Sequence, residues 1–292
     1  MENVPYDKRS GKIWFNGKTV DWANANIHVL NHGLHYASCV FEGERVYDGE
    51  IFKLEEHTER LFYSAKRMGI KVPYSQKEIN DACKNIVNIQ KVQNGYVRPV
   101  IWRGSEMMAI SAQKNKIHVA IATWEWGSYF DPKLKLKGIK LNISSWRRPN
   151  PNSIPWDTKA AGLYMICTLS KHDAEAKGYS DALMLDWRGQ VAEATGANIF
   201  FKMPDGNLHT PKADCFLDGI TRKTVIFLAS ELGIKTIERV IMPEEMKEAE
   251  ECFLTGTAAE VTPVSSIGDV YEFTPGEISF KLIESYTKLV NS

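Results

Sequence analysis

Apolar and polar residues alternate in short runs through the first part of the chain, which is typical of strands joined by tight turns. The runs 13–15 and 20–22 flank Asn16-Gly17, two residues that tolerate positive φ and favour a hairpin. A second pairing, of residues 39–46 with 51–54, is turned by an Asp-Gly pair. The pattern therefore predicts that the chain opens with antiparallel strands.

The apolar spacing then changes to that of amphipathic helices. One helix is predicted over 55–68, and a second begins at Ser75, with Glu78 in the spacing of a capping box. Two apolar runs, 96–102 and 117–124, are predicted as buried strands. The buried face of the second helix is predicted to carry Ile79, Ala82, Cys83, Ile86 and Val87.

The second half also mixes strands and helices, without repeating the sequence of the first half. A lysine-rich segment with a proline, 127–137, is predicted to link a small domain, 1–126, to a larger one, 138–292. The predicted fold class is therefore α+β or α/β with two domains. Strands are predicted at 139–146, 182–185, 191–201, 237–241 and 252–255, and helices at 162–177, 221–232, after Pro243 and at 278–290.

The charge balance narrows the range of functions. The chain has 36 Lys and Arg residues against 36 Asp and Glu residues, and this zero net charge argues against a nucleic-acid or anionic-membrane partner. It has neither the roughly 20 consecutive apolar residues of a membrane-spanning helix nor an apolar signal segment at its start. Its five cysteines are widely separated and form no metal-binding pair. The sequence therefore predicts a cytoplasmic protein without a metal site.

Two glycine-containing turns of the second half could bind an anion. Gly219, Ile220 and Thr221 stand where a helix is predicted to begin, so that free backbone N–H groups and a hydroxyl lie together. Gly256 and Thr257 follow a predicted strand, and the small residues after them let a ligand approach the backbone. Each turn alone is equally explained as an ordinary helix cap or loop. Together they favour a phosphate site.

Two charged residues are candidates for catalysis. Lys159 precedes a largely apolar helix, where desolvation would lower its pKa and favour the neutral amine that forms Schiff bases; the alternative is a surface lysine with a buried stem. Glu193 is an acid among small residues in a predicted strand, where outward alternation is the simpler explanation. The absence of G-x-S-x-G, H-E-x-x-H and P-loop motifs argues against a serine hydrolase, a zincin and a Walker-type nucleotide binder.

In their order and spacing these segments resemble the branched-chain amino acid aminotransferases, which are fold-type IV pyridoxal-phosphate enzymes. The resemblance runs from residue 13 to residue 264 and implies a two-domain, D-amino acid aminotransferase-like architecture. The chain departs mildly from the family at Ala160-Ala161, where a glycine or serine is common at the middle position after the lysine. The motifs that carry the resemblance are His35-Tyr36, Val40-Phe41-Glu42-Gly43, Tyr96-Val97-Arg98-Pro99, Lys159 with Gly162-Leu163-Tyr164, Glu193-Ala194-Thr195-Gly196-Ala197-Asn198, Gly219-Ile220-Thr221-Arg222 and 256–263.

The resemblance implies pyridoxal 5′-phosphate as the cofactor and a role for each candidate. Lys159 would hold the cofactor as a Schiff base and move the proton in a ping-pong transamination, and Glu193 would keep the pyridine nitrogen protonated. Leu217 would pack on the ring, and Tyr164 would accompany the cofactor oxygen. The residues implied to bind the phosphate are Arg60, Ile220, Thr221 and Thr257, and the cofactor-binding set also includes Gly219 and Gly256.

The implied substrates are L-leucine, L-isoleucine or L-valine with 2-oxoglutarate. Arg98, with Tyr96 beside it, would bind the distal carboxylate of glutamate, and the alternative for this arginine is a strand-edge salt bridge. The backbone of Thr257 and Ala258 would bind the α-carboxylate. The residues implied to line the side-chain pocket are Tyr36, Phe41, Trp126, Tyr129 and Tyr164.

The resemblance also implies a homodimer or a hexamer built from dimers, with residues 31–36 as the contribution of a neighbouring subunit to the pocket. Two relatives of the same fold, D-amino acid aminotransferase and aminodeoxychorismate lyase, would share Lys159 and Glu193. D-selective enzymes usually carry an Arg-x-His near the strand of Arg98, and this chain does not. A non-enzymatic homologue is the remaining alternative, against which the presence of both catalytic residues argues.

Overall fold

The computed structural model describes residues 4–127, 130 and 136–292. The chain forms two compact units. The first comprises Met1–Gly127 with Thr158–Gly162, and the second comprises Ser128–Asp157 with Leu163–Ser292. The segment that carries Lys159 therefore belongs to the first unit, which the sequence did not indicate.

The domain boundaries drawn from the sequence, 1–126 and 138–292, stay a prediction. Most of the predicted linker 127–137 cannot be compared, because residues 128, 129 and 131–135 lie outside the described residues.

The first unit is built on an antiparallel sheet. In the part of the chain that is described, its order is β2-β1-β7-β6-β4-β5, and β3 pairs with β6 as well. Two helices, α2 and α3, pack on this sheet and on each other. The strands are β1 Lys12–Phe15, β2 Lys18–Asp21, β3 Cys39–Phe41, β4 Glu44–Tyr47, β5 Glu50–Ile51, β6 Gly95–Arg103 and β7 Ile117–Glu125; the helices are α1 His32–Tyr36, α2 Leu54–Arg67 and α3 Gln76–Gln90.

The first hairpin is confirmed, since Asn16 and Gly17 take φ values of 49° and 84° between β1 and β2. The second pairing is confirmed at its turn, since Val46 of β4 pairs with Ile51 of β5 around Asp48 and Gly49. Its first strand, predicted over 39–46, is interrupted between β3 and β4. Glu42 stands opposite Pro99, which has no N–H to donate to the ladder. The predicted partner 51–54 is also too long, since α2 begins at Leu54.

Both predicted helices of this unit are confirmed. At the start of α3, the Glu78 N–H donates to Ser75 Oγ over 3.2 Å, and the Glu78 carboxylate accepts from the Ser75 N–H over 2.7 Å. The predicted apolar face of α3 is buried. The buried face of α2 includes three polar side chains, His57, Thr58 and Ser64. Of these, His57 and Ser64 contact residues of the candidate site.

The second unit contains a sheet that closes on itself. The path β10-β9-β8-β15-β14-β11 returns to its start because β11 also pairs with β10. Helices α4, α5 and α6 pack on these strands. The strands are β8 Ile139–Ile143, β9 Asp181–Leu185, β10 Val191–Ala194, β11 Asn198–Lys202, β12 Leu208–Pro211, β13 Thr236–Arg239, β14 Glu251–Gly256, β15 Glu260–Ile267 and β16 Tyr271–Glu272; the helices are α4 Met165–Ala176, α5 Ile220–Glu231 and α6 Glu277–Val290.

Apolar side chains of the closed sheet form the main core of this unit. A cluster of buried residues from β8, β9, β11, β14 and β15 includes Leu141, Leu183, Ile199, Leu254 and Val264. Burying such side chains is the dominant stabilising contribution of a fold of this kind.

The single strand predicted over 191–201 is wrong. The structure has a hairpin there, in which β10 and β11 pair through Glu193 and Asn198 around a turn at 195–197. The predicted helix 162–177 begins with a 3₁₀ turn, Ala161–Tyr164, before α4, and the helix after Pro243 is the 3₁₀ segment Pro243–Glu248. Strands β12, β15 and β16 were not predicted.

No helix in the described ranges is both long enough and apolar enough to cross a membrane.

Candidate active site

Lys159 lies in a short segment held between a strand and a helix of the first unit. Ala160 forms an antiparallel bridge with Val40 of β3, and the Phe41 N–H donates to the Lys159 carbonyl over 3.2 Å. On α2, Ser64 Oγ accepts from the Lys159 N–H over 3.0 Å. Because Ser64 is fully buried, these contacts fix the backbone of the lysine without using its side chain.

The amine of Lys159 lies over an aromatic ring that it shares with an arginine. Nζ of Lys159 is 5.0 Å from the Phe41 ring centroid, and the guanidinium carbon of Arg98 is 4.7 Å from the same centroid. Arg98 also donates to the Tyr96 hydroxyl over 3.4 Å. Its Nε is buried and, among the described residues, has no hydrogen-bond partner. A buried donor of this kind suits a negatively charged ligand.

The surroundings of Lys159 change its acidity. Burial lowers the pKa of the amine, since the charged form is poorly solvated there. Glu42 opposes this effect on the pKa, whereas Arg60 and Arg98 add to it. The net lowering leaves a larger fraction of the amine neutral, as attack on a carbonyl carbon requires.

The position of Tyr96 depends on a glycine. A Cβ on Gly43 would overlap the Tyr96 hydroxyl, so a larger residue there would displace the ring. Tyr96 also packs edge-on against Trp126, with ring centroids 4.7 Å apart. Phe41, Tyr96, Trp126 and Arg98 therefore form a mixed aromatic and cationic surface in the unit that carries Lys159.

Arg60, on α2, is held by a carboxylate whose role the sequence did not indicate. Nε of Arg60 donates to Oε1 of Glu42 over 2.6 Å, and Nη2 donates to Oε2 over 2.9 Å. Glu42 belongs to one of the motifs described above, but it was given no function. Its partner is 18 residues away and lies on a separate element, so that only tertiary packing brings the two together.

In the second unit, Glu193 lies on β10 with 8% of its surface exposed, so outward alternation does not explain it. Its Oε2 accepts from Nδ2 of Asn198 over 3.2 Å, and its Oε1 is 3.3 Å from Nε of Arg148. Burial acts to lower the pKa of Arg148, but Glu193, together with the smaller effects of Cys167, Tyr164 and Cys215, outweighs burial, so the pKa is raised. The carboxylate and the guanidinium thus stabilise each other's charged forms.

Asn198 connects Glu193 to the first glycine-containing turn. Its Nδ2 also donates to the Leu217 carbonyl over 3.0 Å, and its Oδ1 accepts from the Gly219 N–H over 3.2 Å. A Cβ on Gly219 would overlap this Oδ1. Gly219 is the N-cap of α5, so that the first N–H groups of the helix, including that of Thr221, have no partner within it. Asn198 is thus a functional candidate that the sequence interpretation missed.

The second turn joins β14 to β15 and adjoins the same hairpin. A Cβ on Gly256 would be 3.3 Å from Cβ of Ala197, in the turn between β10 and β11. Thr257 and Ala258 follow it and are partly exposed. Both turns and Glu193 therefore meet at the β10–β11 hairpin.

The other predicted site residues have varied environments. Ile220 is buried at the start of α5, whereas Leu217 and Tyr164 are partly buried. Tyr36 is 42% exposed on α1, and its ring stacks on His32 at a centroid distance of 4.6 Å. Tyr129 lies outside the described residues.

The chemistry of these residues fits pyridoxal phosphate. The first unit provides a desolvated amine that can react with an aldehyde, together with two arginines. The second unit provides a carboxylate to pair with a protonated pyridine nitrogen, and two glycine turns whose N–H groups suit a phosphate.

The sequence matches the family Amino-transferase class IV over residues 39–267, and the chain belongs to that class of enzymes. Within this class, its relatives show that the chain belongs to the branched-chain-amino-acid aminotransferases. The chain is 41% identical to the branched-chain-amino-acid aminotransferase of Pseudomonas aeruginosa over 289 residues, which cover 97% of this chain and 94% of that one.

Solved structures agree with this assignment. The branched-chain amino acid aminotransferase of Escherichia coli is similar with a TM-score of 0.93 and 36% identity, over 97% of this chain and 95% of the other. That of Thermobaculum terrenum, solved in its PLP-bound holo-form, is similar with a TM-score of 0.88 and 31% identity, over 97% of this chain and 94% of the other. The predicted family, fold class, enzyme class and pyridoxal-phosphate cofactor are therefore confirmed. The roles of individual residues stay predictions.

Proposed function

We propose that this chain transfers the amino group of L-leucine, L-isoleucine or L-valine to 2-oxoglutarate, giving the branched 2-oxo acid and L-glutamate. The observation that carries the proposal is that the amine of Lys159 and the guanidinium of Arg98 lie over the same Phe41 ring. The aromatic surface suits a branched aliphatic side chain, and the arginine suits the distal carboxylate of glutamate. The names of the relatives support the same substrates.

Lys159 is the proposed catalytic residue. When bound, pyridoxal phosphate supplies an aldehyde that takes up the amino group and a ring that accepts the electron pair of the Cα–H bond. Nζ of Lys159 would hold the cofactor covalently, and once the substrate amine has displaced it, Nζ would take the proton from the substrate Cα and deliver it to C4′ of the cofactor. The backbone contacts with Ser64 and Phe41 let the side chain move while the segment stays in place.

Glu193 is the proposed partner of the pyridine N–H. The ion pair with Arg148 and the hydrogen bond from Asn198 favour its carboxylate form. A carboxylate stabilises a proton on the ring nitrogen, and a protonated ring is the better electron acceptor.

The cofactor phosphate is proposed to bind Arg60 together with the N–H groups at the two glycine turns. A phosphate is favoured at the start of α5 because the helix dipole and unpaired N–H groups face it. Leu217 is proposed to pack on the ring, Tyr164 to accompany the cofactor oxygen, and Ala258 to share the α-carboxylate with Thr257. The residues proposed for the phosphate turns are Gly219, Ile220, Thr221, Gly256 and Thr257, and those proposed to complete the side-chain pocket are Tyr36, Trp126 and Tyr129.

We propose a homodimer, or a hexamer of dimers, as the active assembly. Large apolar side chains are exposed on and before α1, and contiguous exposed apolar surface marks interaction sites. The exposed residues are Ile27, Val29, Leu30 and Leu34, at 51, 67, 49 and 64%.

We also propose a cytoplasmic location, supported by the five cysteines, which are all free thiols.

The activity is tested by offering the purified protein L-leucine and D-alanine separately, each with 2-oxoglutarate, and following glutamate. We expect glutamate to form rapidly with L-leucine and at background rate with D-alanine. Turnover with D-alanine alone would instead assign the chain to the D-selective members of the fold. A 4-aminobenzoate product from aminodeoxychorismate would assign it to the lyases.

Replacing Arg98 with glutamine should separate the two substrates. A hydrogen bond to a charged group is worth about 1.5–3 kcal/mol, so the KM for 2-oxoglutarate should rise about 10- to 100-fold. The KM for L-leucine should change less than about threefold, since no carboxylate of leucine needs this arginine. Arg98→Lys keeps the charge without the bidentate fork and should give an intermediate KM. Equal losses for both substrates would make Arg98 a structural residue.

A further inference from the structure

Two glutamates of the first unit, Glu42 and Glu44, are both fully buried and differ in their partners. Glu42 has three side-chain hydrogen bonds from α2, two from Arg60 and one from His57. Neither carboxyl oxygen of Glu44 has a hydrogen-bond partner in the described part of the chain. Substitutions of the two glutamates can therefore be compared, and the comparison separates the effect of the hydrogen-bonded carboxylate of Glu42 from the general effect of a buried acid.

The contact between Glu42 and Arg60 fixes the guanidinium in both position and plane. Nε and Nη2 form two parallel hydrogen bonds, of 2.6 and 2.9 Å, to the two carboxylate oxygens. A fork of this kind is among the most directional interactions in proteins. It uses two of the five N–H donors of an arginine.

His57 in turn fixes the carboxylate. Its Nδ1 is 2.7 Å from Oε2 of Glu42, and because an ionised carboxylate only accepts hydrogen bonds, Nδ1 carries the proton. His57 is 1% exposed, and burial lowers its pKa even though Glu42 acts to raise it. His57 is therefore a buried hydrogen-bond donor to the Glu42 carboxylate.

The charges of the cluster agree with this geometry. Burial alone would raise the pKa of Glu42, but Arg60 and His57 outweigh it and hold that pKa well below its usual range. Burial and the neighbouring Glu42 raise the pKa of Glu44 well above its usual range. The carboxyl with the lowered pKa is the one that holds Arg60, and the carboxyl with the raised pKa is the one without a hydrogen-bond partner among the described residues.

We propose that Glu42 is a positioning residue of the cofactor phosphate site: supported by His57, its carboxylate holds the Arg60 guanidinium in the place from which it binds the phosphate. The proposal rests on the phosphate-binding role proposed above for Arg60. It differs from a purely electrostatic role, because a nearby negative charge by itself would weaken phosphate binding.

The test compares two probes that differ only in the phosphate, pyridoxal 5′-phosphate and pyridoxal. Each is titrated into the full chain freed of cofactor, and the readout is the ratio of the two dissociation constants. In Glu42→Gln the preference for the phosphorylated probe should fall about 10- to 100-fold, the size expected for one charge-assisted contact. In the matched variant Glu44→Gln the ratio should stay within about twofold of wild type.

Two further variants make the outcome decisive. In an Arg60→Gln background, adding Glu42→Gln should leave the ratio unchanged, because the residue that Glu42 positions is already gone. Glu42→Asp keeps the charge but withdraws the carboxylate by one methylene, so it should lose part of the preference, and it replaces Glu42→Gln as the test if that variant does not fold.

Three results would overturn the proposal: an equal loss of affinity for both probes, an unchanged ratio, or a stronger preference for the phosphorylated probe. The first would make Glu42 a structural residue, and the last would make it only a counter-charge. An Arg60→Gln variant with the wild-type ratio would instead refute the role of Arg60, and wild-type protein that binds neither probe would refute the proposed function.

Discussion

Replacing Lys159 with alanine is expected to lower kcat by at least about 10³-fold. Positioned acid–base catalysis alone contributes about 10²–10⁴-fold, and the variant loses the covalent attachment as well. The protein should still bind pyridoxal phosphate through the proposed phosphate and ring contacts. Borohydride treatment followed by mass spectrometry should attach the cofactor permanently to wild type and leave the variant unmodified.

A surface lysine provides the control for this variant. Lys177 forms an exposed ion pair with Asp173, four residues earlier on its helix, and Lys177→Ala should keep wild-type kcat and the borohydride adduct. If Lys159→Ala retained more than about a tenth of the wild-type kcat, another group would be moving the proton, and the role assigned to Lys159 would be wrong.

Replacing Glu193 with glutamine is expected to lower kcat about 10²–10³-fold, the usual effect of removing one preorganised electrostatic contact. The amide has nearly the same shape, so it can keep the contact with Asn198. It cannot stabilise a proton on the ring nitrogen as a carboxylate does. The loss should therefore appear in the proton-transfer step, measured as slower exchange of the leucine α-hydrogen in D₂O by NMR.

The matched control is another buried carboxylate of the same unit. Asp181 is 2% exposed and accepts from Thr195 Oγ1 over 2.6 Å. Asp181→Asn should reduce thermal stability while changing the exchange rate less than about threefold, because Asp181 has no proposed contact with the cofactor. Equal exchange rates in Glu193→Gln and wild type would show that Glu193 does not tune the ring.

Tight turns and helix starts could be predicted because a few neighbouring residues are enough to specify them. The capping box at Ser75 and the Asn16-Gly17 turn each specify their structure within a few residues. The hairpin of β10 and β11 was interpreted as one strand because apolar residues continue through it, and only Gly196 indicates the turn. Strand β15 was missed in part because Pro263 lies inside it, which argues against a strand in a sequence pattern.

The sequence predicts which residues belong to the candidate site, but it does not predict which residues they contact. The motifs identify Lys159, Arg98 and Glu193 as candidates. The structure places Lys159 and Arg98 over the same ring, that of Phe41. The partners of these residues come from distant segments: Ser64 is 95 residues from Lys159, and Arg148 lies in a segment to which the sequence gave no site role. Contacts of that kind depend on tertiary packing, for which a single sequence has no periodic signal.

The most direct test of the proposed function is a half-reaction. Cofactor-loaded protein is mixed with excess L-leucine and no acceptor, and the 4-methyl-2-oxopentanoate released is measured per chain. For a ping-pong enzyme we expect about one equivalent, after which release stops until 2-oxoglutarate is added and L-glutamate appears. Continuous release without an acceptor, or no release from correctly folded protein, would contradict transamination of leucine at Lys159.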